Sequence, residues 1–305
     1  MFSSVSAVFF IIFCLIIPIA TMGFCAFKDY QLKRRNPVSE PLLALPGETL
    51  QKNLHFENNK LMAICSISAI IPSIVVVILM GQWINPAQIQ FHFIDLLLGV
   101  ICLASMTASV FATKKIMAKR KRLTAGLVGE VASAQYFTPL VREGWLIFHD
   151  LSFPRGNIDH VLVGPTGIFA IETKYRSKYA DMKGSQSALA EYDGHSIIFS
   201  GRRQEELPLQ QAKAVSTELS KYLKGKLGRF VPVRPVVSLP GWRIESSISD
   251  MEVEVLVLNP KNCRRLKNLR VMIKSSEVLN RIQAALEEIA KNPQKEPFYK
   301  ALLKR

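Results

Sequence analysis

The sequence has cysteines but no arrangement of them. Cys14, Cys25, Cys65, Cys102 and Cys263 are the full set, none in a CxxC spacing, and four lie in apolar runs. That excludes a clustered-cysteine zinc site and a disulfide framework, and leaves small packing residues. Charge is missing too, over long stretches. Residues 5–27, 61–80 and 96–113 contain no Asp, Glu, Lys or Arg. Acids are absent from residues 114–122, "KKIMAKRKR", which hold six Lys or Arg. Internal repeats and low-complexity tracts are absent as well, which excludes a solenoid or an array.

What is present divides the chain. At about 1.5 Å per residue each uncharged run is long enough for a bilayer core. The runs predict three transmembrane helices, at about 5–27, 61–80 and 94–113. No charge precedes Lys28, so the first run lacks the basic start of a cleaved signal and reads as a retained span. Trp83, Phe91 and Phe93 suit the interface between the second and third runs, and Asp95 the water boundary. Lys and Arg follow the first run in "KDYQLKRR" and the third in "KKIMAKRKR", while 81–91 has no charged residue. By the positive-inside rule the N-terminus is outside and everything after residue 113 is cytoplasmic. The expectation is an integral protein of a bacterial inner (cytoplasmic) membrane, with a basic juxtamembrane linker at 114–123 touching anionic lipid through residues 114–122.

The formal charge is +15. Residues 123–305 carry 27 basic and 19 acidic side chains, a net of +8, against +1 for residues 1–113. A basic soluble half suits a polyanion, either nucleic acid or anionic lipid. Its pattern reads as a helix from Thr124, a possible cap; three strands; a variable stretch containing the strand "HSIIFSG"; a helix from Pro208 to about Gly225; strands "VRPVVSL" and "VEVLVL"; and a helix from about Glu277 to Ala290. That order predicts an α/β fold, a mixed sheet flanked by helices.

Two features resist a purely structural reading. Leu127, Val131, Ala134 and Phe137 share one helical arc, and Glu130 falls inside it. In "IDHVLVGPTGIFAIETK", residues 158–174, a turn at Gly164-Pro165-Thr166-Gly167 joins two apolar strands interrupted by Asp159, Glu172 and Lys174. Pairing Val163 with Ile168 puts Asp159 opposite Glu172, with Cβ atoms about 4.5–5.5 Å apart, and Lys174 on the same face. His160 then points to the other face. Opposed carboxylates repel and raise each other's pKa. A hard divalent cation, Mg²⁺ or Mn²⁺, resolves this; a Lys174 salt bridge to both acids on a solvated face is the other arrangement.

"GLVGE", this hairpin and "PLQQ" stand in the order found in the nuclease-related domain, NERD, which resembles the PD-(D/E)XK nuclease superfamily. The resemblance covers residues 124–238 and leaves 239–305 as a C-terminal strand-helix extension. It implies a restriction-endonuclease-like fold. It also implies Asp159, Glu172 and the Thr173 carbonyl as metal ligands, and Lys174 as the residue that orients or deprotonates the attacking water. Glu130 would be a further metal or water ligand, and Gln211 a site-supporting amide. Residues 175–194 depart from the family's usual continuation, so Arg155, Arg176 and Lys178 are open between phosphate contacts and ordinary surface charges. The functional expectation is a membrane-anchored, Mg²⁺- or Mn²⁺-dependent nuclease acting on DNA. The alternative is a tethered nucleic-acid-binding or scaffold module that keeps the fold without turnover.

Overall fold

The computed structural model describes residues 42–82, 93–154, 156–178, 185–200, 203–273 and 275–291. The first expected span, 5–27, the interfacial stretch 83–92 and the tail 292–305 lie outside them.

Helix α1 spans Glu48–Gln82 and α2 spans Phe93–Arg142. Both are long and apolar enough to cross a membrane, so the described residues hold two candidate spans and not three. Ile67, Ile74, Leu96, Leu103 and Phe111 stand exposed on them, as side chains meant for lipid do. Both helices outrun their apolar cores. α1 begins at Glu48, inside the stretch read as a loop, and α2 carries on through 114–123. Thr124 is therefore mid-helix and caps nothing. Lys, Arg, Met, Ala and Leu are all strong helix formers, so the basic run gives the helix no reason to stop.

The described chain divides into two compact units, residues 55–82 with 93–121, and residues 42–54 with 122–291. In the first, Lys119 Nζ lies 2.7 Å from the Glu57 carboxylate, with Lys60 3.5 Å away. Glu57 is buried, and a buried carboxylate persists where it is paired.

The second unit is α/β. Its strands are β1 (Leu146–Phe153), β2 (Gly156–Gly164), β3 (Gly167–Thr173), β4 (Leu189–Tyr192), β5 (Ile197–Phe199), β6 (Arg203–Glu205), β7 (Val233–Ser238), β8 (Arg243–Ser246) and β9 (Leu256–Leu258), with α3 (Leu207–Leu227) and α4 (Ser276–Lys291). The main sheet has the order β1-β2-β3-β7-β9. β1, β2 and β3 run antiparallel, while β3, β7 and β9 pair in parallel. The mixed sheet is the expected one. A smaller sheet, β6-β5-β4-β8, was legible only as the single strand around Ile197–Phe199. Its other strands are three or four residues long, too short for an alternating pattern to stand out.

Both faces of the main sheet are covered. Phe137 and Leu140 of α2 pack with Leu162, Phe169, Ile171 and the small sheet's Phe199. Val161, Val163, Ile168 and Ala170 pack under Leu219 and Leu223 of α3 and Ile282 and Leu286 of α4. Burial on two sides explains why β2 and β3 read as near-continuous apolar runs.

The turn between them is built for one register. A Cβ on Gly164 would lie 2.2 Å from the Trp145 ring, and Gly167 has φ +135°, which a side chain tolerates poorly. Thr166 Oγ1 donates to the Leu266 carbonyl at 2.8 Å, and the Met272 and Ile273 amides both donate to the Pro165 carbonyl at 3.0 Å.

Candidate active site

The observed register pairs Val163 with Ile168 and runs to His160 with Ile171; one step further is Asp159 with Glu172. There the ladder gives way to side chains. The Thr173 amide donates to Asp159 Oδ2 at 2.7 Å, and Lys174 Nζ donates to Glu172 Oε1 at 2.5 Å. The Lys174 and Glu172 side chains are only 19% and 12% exposed. The ion pair expected of a solvated face thus exists, but on a recessed one, and it reaches one acid.

Glu130 arrives from α2. Ser133 Oγ meets Ser238 Oγ at 2.9 Å in the core, and Ser238 pairs with Thr173. Glu130 sits one helical turn before Ser133 and so on the same face. Glycine makes the approach possible: a Cβ on Gly129 would meet Tyr175 Cβ at 3.1 Å and Thr173 Cγ2 at 3.5 Å. The second glycine of "GLVGE" is a close-packing position.

Glu130, Asp159, Glu172, Thr173 and Lys174 line one cavity of about 680 Å³. Burial, then repulsion from Asp150 and Glu172, raises the Glu130 carboxyl to about 7. Burial, then Glu172 and Glu130, pushes Asp159 well above the usual carboxylate range. Five of the six residues picked from the sequence therefore meet. The sixth, Gln211, is not among the cavity-lining residues; it sits in the first turns of α3 with its Oε1 buried and unpartnered. His160 is buried elsewhere, edge-on to Phe137, with its Nδ1 2.8 Å from that of His149. Arg155 lies outside the described residues. Arg176 lines the cavity and is paired with Glu205, and Lys178 is exposed.

Asp150 was missed. Its backbone is left-handed at φ 49°, an uncommon conformation for a residue with a side chain. Its carboxylate accepts from the Thr49 amide at 2.5 Å and from Asn157 Nδ2 at 2.7 Å. The available signal was an acid within an apolar strand. Thr49 carried none, being about a hundred residues away along the chain.

Does this donor set suit a divalent cation? Among the described residues no three His, Cys, Asp or Glu side chains converge on a point. The neighbours are carboxylates, whose mutual repulsion a cation would relieve, and neither Cys nor His lines the cavity. Asp159 Oδ1 and Glu172 Oε2 carry no hydrogen bond among the described residues, so each carboxylate keeps an oxygen to offer. Hard oxygen donors in that number suit Mg²⁺ or Mn²⁺, which retain several waters.

The α/β unit thus has an antiparallel hairpin leading into parallel strands, with two acids and a lysine gathered where the hairpin's ladder ends. Residues 125–240 match the family profile of the nuclease-related domain, NERD. The chain carries that domain behind apolar helices, and all six residues expected in the site fall inside it. No curated protein and no solved structure matches the chain.

Proposed function

We propose that this chain is a membrane-anchored, metal-dependent nuclease that hydrolyses phosphodiester bonds of DNA on the cytoplasmic side of a bacterial inner membrane, with a restriction-endonuclease-like core. One observation carries the reading: Asp159 and Glu172 meet across the β2–β3 register at a cavity floor, with Lys174 on Glu172. Asp159, Glu172 and the Thr173 carbonyl would hold Mg²⁺ or Mn²⁺. Bound there, the cation would neutralise phosphate charge and make a bound water easier to deprotonate.

The chain's own groups do the rest. Lys174 orients the attacking water and meets the charge that develops on the phosphate. Glu130, from α2, holds a water or a further oxygen of the cation's shell. Gln211 supports the site from α3. The apolar helices anchor the chain, and residues 114–122 meet anionic headgroups.

The test is cleavage of labelled DNA by the full chain in detergent with Mg²⁺, against Asp159→Ala and Lys174→Ala. Both variants should lose at least about a hundredfold in rate, the scale of removing one charge-stabilising donor. Equal cutting by all three proteins overturns the proposed site. A second reading, a binding or scaffold module without turnover, draws on the partners that Asp159 and Glu172 already have within the chain. It predicts metal-independent binding and no cleavage with any divalent ion.

A further inference from the structure

We infer that the cavity takes one strand of nucleic acid and not a duplex, that Arg122 and Arg203 bind the phosphate beside the reacting one, and that a base lies on Tyr175. The inference rests on the nuclease reading above and adds its substrate form.

Size and depth come first. Cavities of roughly 300–1,000 Å³ enclose a drug-sized ligand, so 680 Å³ accommodates one or two nucleotides without a paired strand. The reactive side chains are recessed, with Glu172 12% exposed. A duplex is stiff on this scale, so a single strand bends down to recessed groups more readily than a duplex does.

The cations are not equivalent. Arg176 is committed: Nε and Nη2 bind Glu205, and Nη1 donates to the Tyr175 carbonyl. It builds the wall. Arg203 engages the same Glu205 through Nε at 2.6 Å with its side chain 60% exposed; with five N–H donors and a carboxylate shared with Arg176, it keeps donors for another acceptor. Arg122 lines the cavity and is exposed, and no salt bridge among the described residues includes it. Glu205 is shared between Arg176 and Arg203, and Arg122 adds a third guanidinium to the wall, which leaves donors to offer on Arg122 and Arg203. Such forks bind phosphate oxygens in pairs.

Three rings line the cavity, and one is available. Phe199 and Trp242 are 2% and 1% exposed, packed edge-on to each other. Tyr175 is 38% exposed, and its backbone is fixed between Gly129 and the Arg176 guanidinium. A held, exposed ring next to a phosphate site is how single strands are bound without sequence preference.

The experiment is fluorescence anisotropy on the full chain in detergent, with Ca²⁺ in place of Mg²⁺. The probes are a short single strand, as DNA and as RNA, and a blunt duplex of the same sequence. The single strand should bind at least about tenfold more tightly than the duplex. Arg122→Gln and Arg203→Gln should each weaken it and reduce the salt slope by about one phosphate contact. Tyr175→Ala should weaken it by about tenfold, and Tyr175→Phe should not. Equal affinity for strand and duplex, or variants that bind as wild type, overturns the inference. The two readings fail separately. Cleavage of strand and duplex alike, with equal binding, leaves the nuclease and removes the single-strand subsite. The expected binding pattern with no cleavage in Mg²⁺ leaves the subsite and removes the nuclease.

Discussion

Replacing Glu130 with Gln should stabilise the metal-free protein, and the gain should depend on pH. Glu130 is 8% exposed, and in the fold its carboxyl is raised from 4.5 to about 7. Between those values the folded state holds a proton that the unfolded state has released, so stability falls as pH rises through the window and the loss is complete above about pH 7. A shift of this size corresponds to about 3 kcal/mol at pH 8 and to less than about 1 kcal/mol at pH 5. The glutamine side chain would keep the shape and discard the charge, though its amide needs a partner worth roughly 1 kcal/mol. The net expectation is about 1–3 kcal/mol at pH 8, or some 2–12 °C in Tm for a unit of this size. Trp145 and Trp242 are both buried in the second unit, so intrinsic fluorescence of the full chain in detergent and chelator reports its melting. The gap between wild type and Glu130→Gln should narrow at pH 5, and again at pH 8 when Mg²⁺ is added, because a bound cation cancels the same repulsion. Melting curves that coincide at pH 8, or a gap unchanged at pH 5, would refute the claim that Glu130 is held against its neighbours' charge.

Two further outcomes test the scaffold. His149 is held neutral by burial, its pKa lowered from 6.5 to about 4 despite Asp150, beside His160, which is lowered to about 3. The unfolded state therefore takes up the His149 proton first as pH falls, and wild type should lose about 2 kcal/mol from this residue between pH 7.5 and pH 5; urea midpoints of His149→Gln across that range should lack this part of the slope. Gly164→Ala would drive a methyl into the Trp145 ring and should lower stability by about 1–3 kcal/mol, read as a drop in Tm with an altered tryptophan spectrum.

Legibility followed sequence separation. The β2–β3 register needed only a turn of known length and the count of residues on either side, so Asp159 opposite Glu172 was readable before any coordinates. Glu130 was readable as a misplaced charge on a helical stripe. What held it in position, Gly129 against Tyr175 and Ser133 against Ser238, was not, because those contacts join segments that local pattern does not relate. The start of α1 at Glu48 was hidden because hydropathy marks the apolar length of a helix and not its hydrogen-bonded ends. The small sheet escaped because its strands are shorter than the two or three alternations a period needs, and Arg203 at the cavity escaped with it.

The raised carboxyls also bear on whether the site could be a structural relic. Pairs buried for stability are arranged so that each charge is offset, and the domain has such pairs: Glu205 holds Arg176 and Arg203, and its pKa is lowered by them against the cost of its burial. Asp159 and Glu130 are arranged the other way. Each is raised first by burial and then by neighbouring carboxylates, Glu172 among them for both, with Lys174 the cation that opposes the rise for both. A fold that can satisfy Glu205 with Arg176 and Arg203, which line the same cavity, gains no stability from leaving two other acids under-compensated there. Neutral side chains of the same shape would serve the core better, as the Glu130→Gln prediction states in measurable form. Under-compensated acids lining a cavity with arginines beside them are the arrangement that the proposed metal-dependent nuclease requires.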